Sequence, residues 1–174
     1  MFYGCSTSEK KVEKFAKGLT EDFINKDSVN LYNKQIDGET AGKWGLLIFI
    51  NGGDYSPDKP ISPKQLVELS KQRYLESKNY ELESLGRLIK RFDNSFNSKI
   101  VSIKTDTLYV SQEGDVVNLL RKLPFKKHYK LYRITQLLKT EKGDSVYFRP
   151  GFIIELGNDL YFDRQGLKYS DEKF

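Results

Sequence analysis

The densest run of basic and aromatic residues in the sequence lies between positions 121 and 133. Sites for single-stranded nucleic acid combine positive charges for the phosphates with aromatic rings for base stacking, so this run could serve a nucleic-acid-binding module. The same residue types are typical of the solvated side of an edge strand, where lysines prevent pairing with another chain. The second interpretation is favoured, because no recognition motif accompanies the cluster. Its basic members are Arg121, Lys122, Lys126, Lys127, Lys130 and Arg133, and its aromatic members are Phe125, Tyr129 and Tyr132.

The only histidine, His128, lies inside this run. Its lysine neighbours favour the neutral imidazole, because like charges disfavour the protonated ring. A neutral imidazole could act as the base of a small hydrolase, but the sequence pairs it with no serine or cysteine nucleophile. A surface histidine on a basic strand is the favoured interpretation, and no catalytic residue is assigned.

The composition excludes several kinds of site. One cysteine and one histidine are too few for a zinc site of the usual kinds, and a single cysteine excludes an internal disulfide framework. A carboxylate site for calcium or magnesium is left open, but no residue is assigned to a metal and no cofactor is predicted. The longest apolar stretch, Trp44 to Ile50, falls far short of the ~20 residues needed to span a bilayer.

The N-terminal Gly4-Cys5 pair, followed by Ser6, Thr7 and Ser8, resembles the cleavage junction of bacterial lipoproteins. The resemblance implies a lipid on Cys5, a polar tether after it and attachment to the bacterial cell envelope, which would be the only contact with a membrane. The bulky Phe2-Tyr3 pair departs from the junction pattern. The alternative is an unmodified, exposed cysteine on a cytoplasmic protein.

Hydrophobic spacing predicts most of the secondary structure. Apolar residues between positions 12 and 23 recur at helical spacing and predict an amphipathic helix over 8–25. Ser62, Pro63 and Gln65 have the capping-box pattern at the start of a helical region over 62–92, which the spacing leaves as one helix or two. The other expected elements are a helix from Asp27 or Ser28 to Asp37-Gly38, a strand over 44–50, a loop over 51–60, a hairpin over 99–111 with its turn at Thr105 to Thr107, a short helix over 115–122 and a meander of strands over 128–169.

Within the meander, the alternation of apolar residues predicts one hairpin in detail. Residues that face each other across antiparallel strands share a face, so placing the apolar residues of both strands together pairs Leu156 with Leu160. That register leaves residues 157–159 as a three-residue loop.

These elements predict an α+β fold, in which the N-terminal and central helices pack on one face of a mainly antiparallel sheet formed largely by the C-terminal half. Residues 1–7 are expected to be a flexible tether and residues 8–174 a single domain. The element order is similar to that of the cone-shaped NTF2-like fold. The likeness implies no site residues, and the helix over 115–122 departs from it.

Since no catalytic or metal constellation stands out, we expect a non-catalytic binding protein whose partner is a protein or a small apolar ligand. Two alternatives are left open: a nucleic-acid-binding module that uses residues 121–133, and a small hydrolase with His128 as base.

Overall fold

A computed structural model of the chain describes residues 7–44, 61–96, 98–115 and 128–173. These residues form an α+β fold, as predicted from the sequence. The helices are α1 (Thr7–Ile24), α2 (Ser28–Asn33), α3 (Gly38–Trp44) and α4 (Pro63–Asn94). The strands are β1 (Ile100–Asp115), β2 (His128–Thr140), β3 (Ser145–Arg149), β4 (Phe152–Leu156), β5 (Asp159–Asp163) and β6 (Lys168–Ser170), with a 3-10 turn over Arg164–Gly166.

The sheet is organised around β2. Along one edge β2 pairs with the whole of β1, and along the other edge it pairs first with β4, at 129–133, and then with β3, at 136–139. The remaining strands extend these two branches, since β5 pairs with β4 and β6 pairs with β3. All of these pairings are antiparallel.

The main core lies between the helices and one face of the sheet, which we call the inner face. Phe23 of α1 is at its centre, with its ring centroid 5.5 Å from that of Phe92, 5.6 Å from that of Phe148 and 6.4 Å from that of Phe162. The three neighbours come from α4, β3 and β5, so one side chain joins both helices to both branches of the sheet. The inner face of the sheet contributes Tyr132, Ile134, Leu138, Phe148, Ile153 and Phe162.

A second, smaller core involves α3, which the sequence analysis did not predict. Ala41 packs there with Leu156, and Ile154 packs against them. Ile154 follows Ile153 directly, so the two side chains point to opposite faces of β4, and this strand is covered on both sides. Trp44 ends α3 instead of beginning the expected strand, whose remaining residues, 45–50, lie outside the described residues together with the loop over 51–60.

The central helical region is one helix of 32 residues, which settles the question that the sequence left open. Its start is confirmed, because the Ser62 hydroxyl accepts a hydrogen bond from the Gln65 backbone N–H and the Gln65 side chain accepts one from the Ser62 backbone N–H. Asp27 likewise caps α2, which ends at Asn33, earlier than predicted.

The hairpin predicted over 99–111 is wrong. β1 is one strand of 16 residues, and the stretch expected to turn contains a β-bulge between Thr105 and Thr107. Two more bulges follow the same pattern, between Ile100 and Ser102 and between Val110 and Gln112. Asp115 pairs with His128 as the last residue of β1, and the rest of the helix predicted over 115–122 lies outside the described residues.

The three-residue loop predicted between β4 and β5 is also wrong. Leu156 pairs with Asp159, which leaves Gly157 and Asn158 as a two-residue loop. Gly157 has φ +66°, at the first loop position, where a type II′ turn needs glycine. The prediction failed because it assumed a single buried face, whereas Ile153 and Leu156 belong to different cores on opposite faces.

Candidate binding surface

The structure divides the predicted cluster between the two faces of β2. Side chains alternate along a strand, and β2 has no bulge of its own, so His128, Lys130 and Tyr132 face inward while Tyr129 and Arg133 face outward. The five described members therefore do not form one surface. Arg121, Lys122, Phe125, Lys126 and Lys127 lie outside the described residues, as does Cys5.

His128 contacts a carboxylate that the sequence did not associate with it. Its Nε2 lies 2.7 Å from Oε1 of Glu113 on β1, and the Lys130 ammonium lies 3.5 Å from the same oxygen. The hydrogen bond from His128 lowers the pKa of the Glu113 carboxyl, and Lys130 lowers it further. The negative charge of Glu113 favours the protonated imidazole and so opposes the effect of the neighbouring lysines. This contact therefore does not stabilise the neutral base that the sequence led us to expect.

Tyr132 is a structural residue. It is 2% exposed, and its hydroxyl donates to Oε2 of Glu155 at 2.6 Å and lies 3.2 Å from the Ser8 hydroxyl oxygen. Burial raises the pKa of this phenol, and the bond to Glu155 raises it further. Its ring cannot stack on a nucleic-acid base, because that role needs an exposed face.

The outward side chains of β2 have different surroundings. Tyr129 packs against the second core, and its hydroxyl accepts a hydrogen bond from the Gln112 side-chain amide at 2.6 Å. Arg133 lies with its guanidinium carbon 5.3 Å from the centroid of the Phe152 ring, which is opposite it on β4. Among the described residues no carboxylate lies within ion-pair distance of Arg133, and its Nε is buried without a hydrogen-bond partner.

A second arginine shares this face. Arg149 is the last residue of β3, and it faces outward because its neighbour Phe148 points into the main core. Burial lowers the pKa of the Arg149 guanidinium; the Tyr109 phenol opposes the shift, and the positive charge of Arg133 adds to it. Tyr109, which is opposite Arg133 on β1, is 48% exposed.

We call these residues the outer patch: Tyr109, Arg133, Thr135, Arg149 and Phe152. Thr135 is 1% exposed although it faces outward, so the surrounding side chains cover the strand at this point. Lysines surround the patch at greater exposure, since Lys104 is opposite the outward Leu137, and Lys139 and Lys168 occupy outward positions on β2 and β6. Arginine and aromatic residues therefore lie at the centre of this patch, with lysines of β1, β2 and β6 around it and Asp163 of β5 opposite Phe152.

Other features of the described residues are less distinctive. A cavity of 440 Å³ is lined mainly by hydroxyl and carboxylate side chains, among them Thr140, Asp144 and Asp171, and one of 360 Å³ lies between α1 and β5. The described residues contain no group of three or more metal-ligating side chains, and no helix among them is long and apolar enough to cross a membrane.

Sequence reasoning found Arg133 but missed Tyr109, Arg149 and Phe152. All three lie in or beside stretches that the sequence marked as strands, but only the register of the sheet brings them to Arg133. Comparison of the chain with protein families, with curated proteins and with solved structures gives no match.

Proposed function

We propose that this chain is a non-catalytic binding domain that binds a protein partner through the outer patch. The observation that carries the proposal is Arg133: its guanidinium is stacked on Phe152 and meets no carboxylate among the described residues. An arginine held in this way has lost much of its side-chain freedom before any partner arrives, which lowers the entropic cost of binding.

The residue types of the outer patch support a protein partner. Protein interfaces are enriched in arginine and aromatic residues at their centre, and most binding energy comes from a few such residues. Lysine is depleted at interface centres, and on this face Lys104 and Lys139 are exposed at the rim.

A nucleic-acid partner is less well supported by the rings that the structure describes. Tyr132 is buried, Tyr129 packs against the second core, and one face of Phe152 is occupied by Arg133. Base stacking needs exposed rings, and in the outer patch Tyr109 is the described aromatic side chain with large exposure. Hydrolysis by His128 is also less well supported, because Nε2 of the imidazole contacts the Glu113 carboxylate, whose negative charge favours the protonated ring over a neutral base.

The proposal can be tested by selecting short random peptides against the purified domain. We expect selected peptides to lose at least about tenfold in affinity, or ~1.4 kcal/mol, on Arg133→Gln. Arg87→Gln is the matched control, because Arg87 is exposed on α4 and its nearest carboxylate, on Glu83, is 3.8 Å away. Selected peptides that bind Arg133→Gln as tightly as the unmodified chain would refute the proposal, and so would oligo(dT) that binds more tightly than any of them.

Attachment to the cell envelope through Cys5 stays a prediction from sequence. Mass spectrometry of the protein purified from its native cells would detect a lipid on this residue.

A further inference from the structure

A cavity of 210 Å³ lies beside β5, where the main core meets the second core. Among the described residues, its apolar walls come from Tyr32, Ile36, Ile154 and Phe162. Tyr32 and Phe162 belong to the main core, whereas Ile36 and Ile154 belong to the second. The space is therefore lined by residues that also hold the fold together, and we call it the β5 cavity.

The volume of the β5 cavity limits the size of a ligand. An apolar cavity of ~150 Å³ binds benzene, and a water molecule takes up ~30 Å³ in the liquid, so the β5 cavity has room for a benzene ring and about two or three further atoms. Drug-sized ligands occupy pockets of about 300–1,000 Å³. Two of the apolar walls, Tyr32 and Phe162, are themselves aromatic, and aromatic rings pack favourably against one another. The cavity thus suits a single aromatic ring with a short substituent.

The wall of the β5 cavity also contains a hydrogen-bond donor without an acceptor. Arg164 and Glu81 both line the cavity and form an ion pair, in which Nη2 of Arg164 donates to Oε1 of Glu81 at 3.3 Å. Nη1 of Arg164 lies 3.0 Å from Oε2 of Glu81, but it makes no hydrogen bond and is buried. A ligand that places an acceptor beside Nη1 would supply the missing hydrogen bond, and a buried donor gains more from this than an exposed one does.

The charges around the cavity favour an uncharged ligand. Glu81 and Asp163 line the cavity and disfavour an anion. Arg164 disfavours a cation, and so does Lys78, whose ammonium lies 6.0 Å from the centroid of the Tyr32 ring. Moving any ion from water into an apolar site also costs free energy, which an uncharged ligand avoids.

We infer that the β5 cavity binds a small uncharged molecule that consists of one aromatic ring with a carbonyl group. The ring packs against Tyr32, Ile154 and Phe162, and the carbonyl oxygen accepts a hydrogen bond from Nη1 of Arg164. The cavity shares no described residue with the outer patch, so this site is independent of the proposed function.

NMR of the purified chain, with its isoleucine methyl groups labelled, tests the site. Acetophenone is the probe, because it is one ring with a carbonyl group. We expect it to shift the signals of Ile36 and Ile154 saturably, with a dissociation constant of about 1 mM or below. The signal of Ile103, on β1 at the other edge of the sheet, should stay unchanged. Signals of Ile36 and Ile154 that do not move at up to about 10 mM acetophenone, or that move no more than that of Ile103, would overturn the inference.

Two charged probes of similar shape test the preference for an uncharged ligand. Benzoate is an anion and 1-phenylethylamine is a cation at neutral pH. We expect each to bind at least about tenfold more weakly than acetophenone, because its charge would have to lose water on entering the cavity. Either ion binding as tightly as acetophenone would overturn the assignment.

Ethylbenzene, which has a similar shape but no acceptor, tests the contact with Arg164. We expect Arg164→Met to weaken the binding of acetophenone at least about fivefold, as one lost hydrogen bond would, and to leave that of ethylbenzene within about twofold. Arg87→Met is the matched control, because Arg87 is exposed on α4 and should affect neither probe.

A purely structural role of Arg164 would weaken both probes alike, and that result would overturn the contact. If Arg164→Met does not fold, Arg164→Lys decides by the same criterion, since it keeps the positive charge beside Glu81 but has no guanidinium nitrogens.

Discussion

Gly42 and Gly86 lie inside helices with opposite surroundings, and the same substitution should therefore change stability in opposite directions. A Cβ atom added to Gly42 of α3 would lie 2.5 Å from the Val67 Cα and 3.1 Å from the Val67 backbone nitrogen, on α4. A Cβ atom added to Gly86 of α4 would meet no atom within 4 Å. Gly86→Ala is thus a control for the effect of alanine on a helix alone.

The magnitudes follow from these distances. Alanine is about 1 kcal/mol more favourable than glycine in a helix, so Gly86→Ala should stabilise the fold by about 0.5–1 kcal/mol. Gly42→Ala gains the same propensity but forces a methyl group against backbone, and overpacking of this kind costs about 1–3 kcal/mol. The clash should exceed the gain because a backbone atom cannot rotate away, which leaves Gly42→Ala about 1–2 kcal/mol less stable than the unmodified chain.

Urea unfolding of the three proteins measures these differences, and unchanged slopes would show that the denatured states are comparable. If Gly42→Ala were as stable as Gly86→Ala, the close packing of α3 on α4 would be refuted. Gly38→Ala provides a second check, since its Cβ would approach the backbone of Ser70 and Lys71.

Three further predictions concern the helices and the core. Ser62→Ala removes the cap of α4 and should lower the unfolding free energy, measured in urea, by about 1 kcal/mol. Hydrogen bonds from Lys43 and Lys71 lower the pKa of Glu39 from its usual 4.5, so the stabilisation that its carboxylate provides is present above about pH 4.5 and is lost as the pH falls through the folded-state pKa. The difference in melting temperature from Glu39→Gln should therefore shrink between about pH 7 and about pH 3, and a constant difference would contradict this. Thr20→Val removes a donor to the buried Gln136 side chain and should cost about 1–3 kcal/mol in the same urea assay, most of which Gln136→Leu should restore in the double variant.

The α+β architecture and most helices could be predicted because their signals are local. Val12, Phe15 and Leu19 define the buried stripe of α1 by spacing alone, and Ser62 with Gln65 marks the start of α4. α3 had no such signal. Its two glycines are poor helix formers, and they are explained by the close approach of α4, which is a tertiary contact.

The strands were less predictable because bulges change the period of the sequence. Each bulge in β1 adds a residue, so the alternation of inward and outward side chains changes phase there. Near Thr105 to Thr107 the shift in alternation has the same sequence signature as a turn. The hairpin prediction was wrong because it interpreted this bulge as a turn.

The candidate surface could be predicted only in part from the sequence, for a related reason. The alternation along β2 would have separated Arg133 from Tyr132, because adjacent residues of a strand face opposite ways. The neighbours of His128 and Arg133 could not be found in this way. Glu113, Phe152 and Arg149 come from other strands, and the pairing of those strands depends on the whole sheet.

The central place of β2 has a consequence for how the fold opens. Among the strands that the structure describes, β1 pairs with β2 alone, whereas β5 and β6 reach the sheet only through β4 and β3. Losing β6 or β5 leaves the other pairings intact, but losing β2 would separate the sheet into one lone strand and two short hydrogen-bonded pairs. Amide hydrogens of β2 should therefore exchange with solvent only when the whole domain unfolds, and those of β5 and β6 should exchange through local opening, at rates that do not depend on global stability.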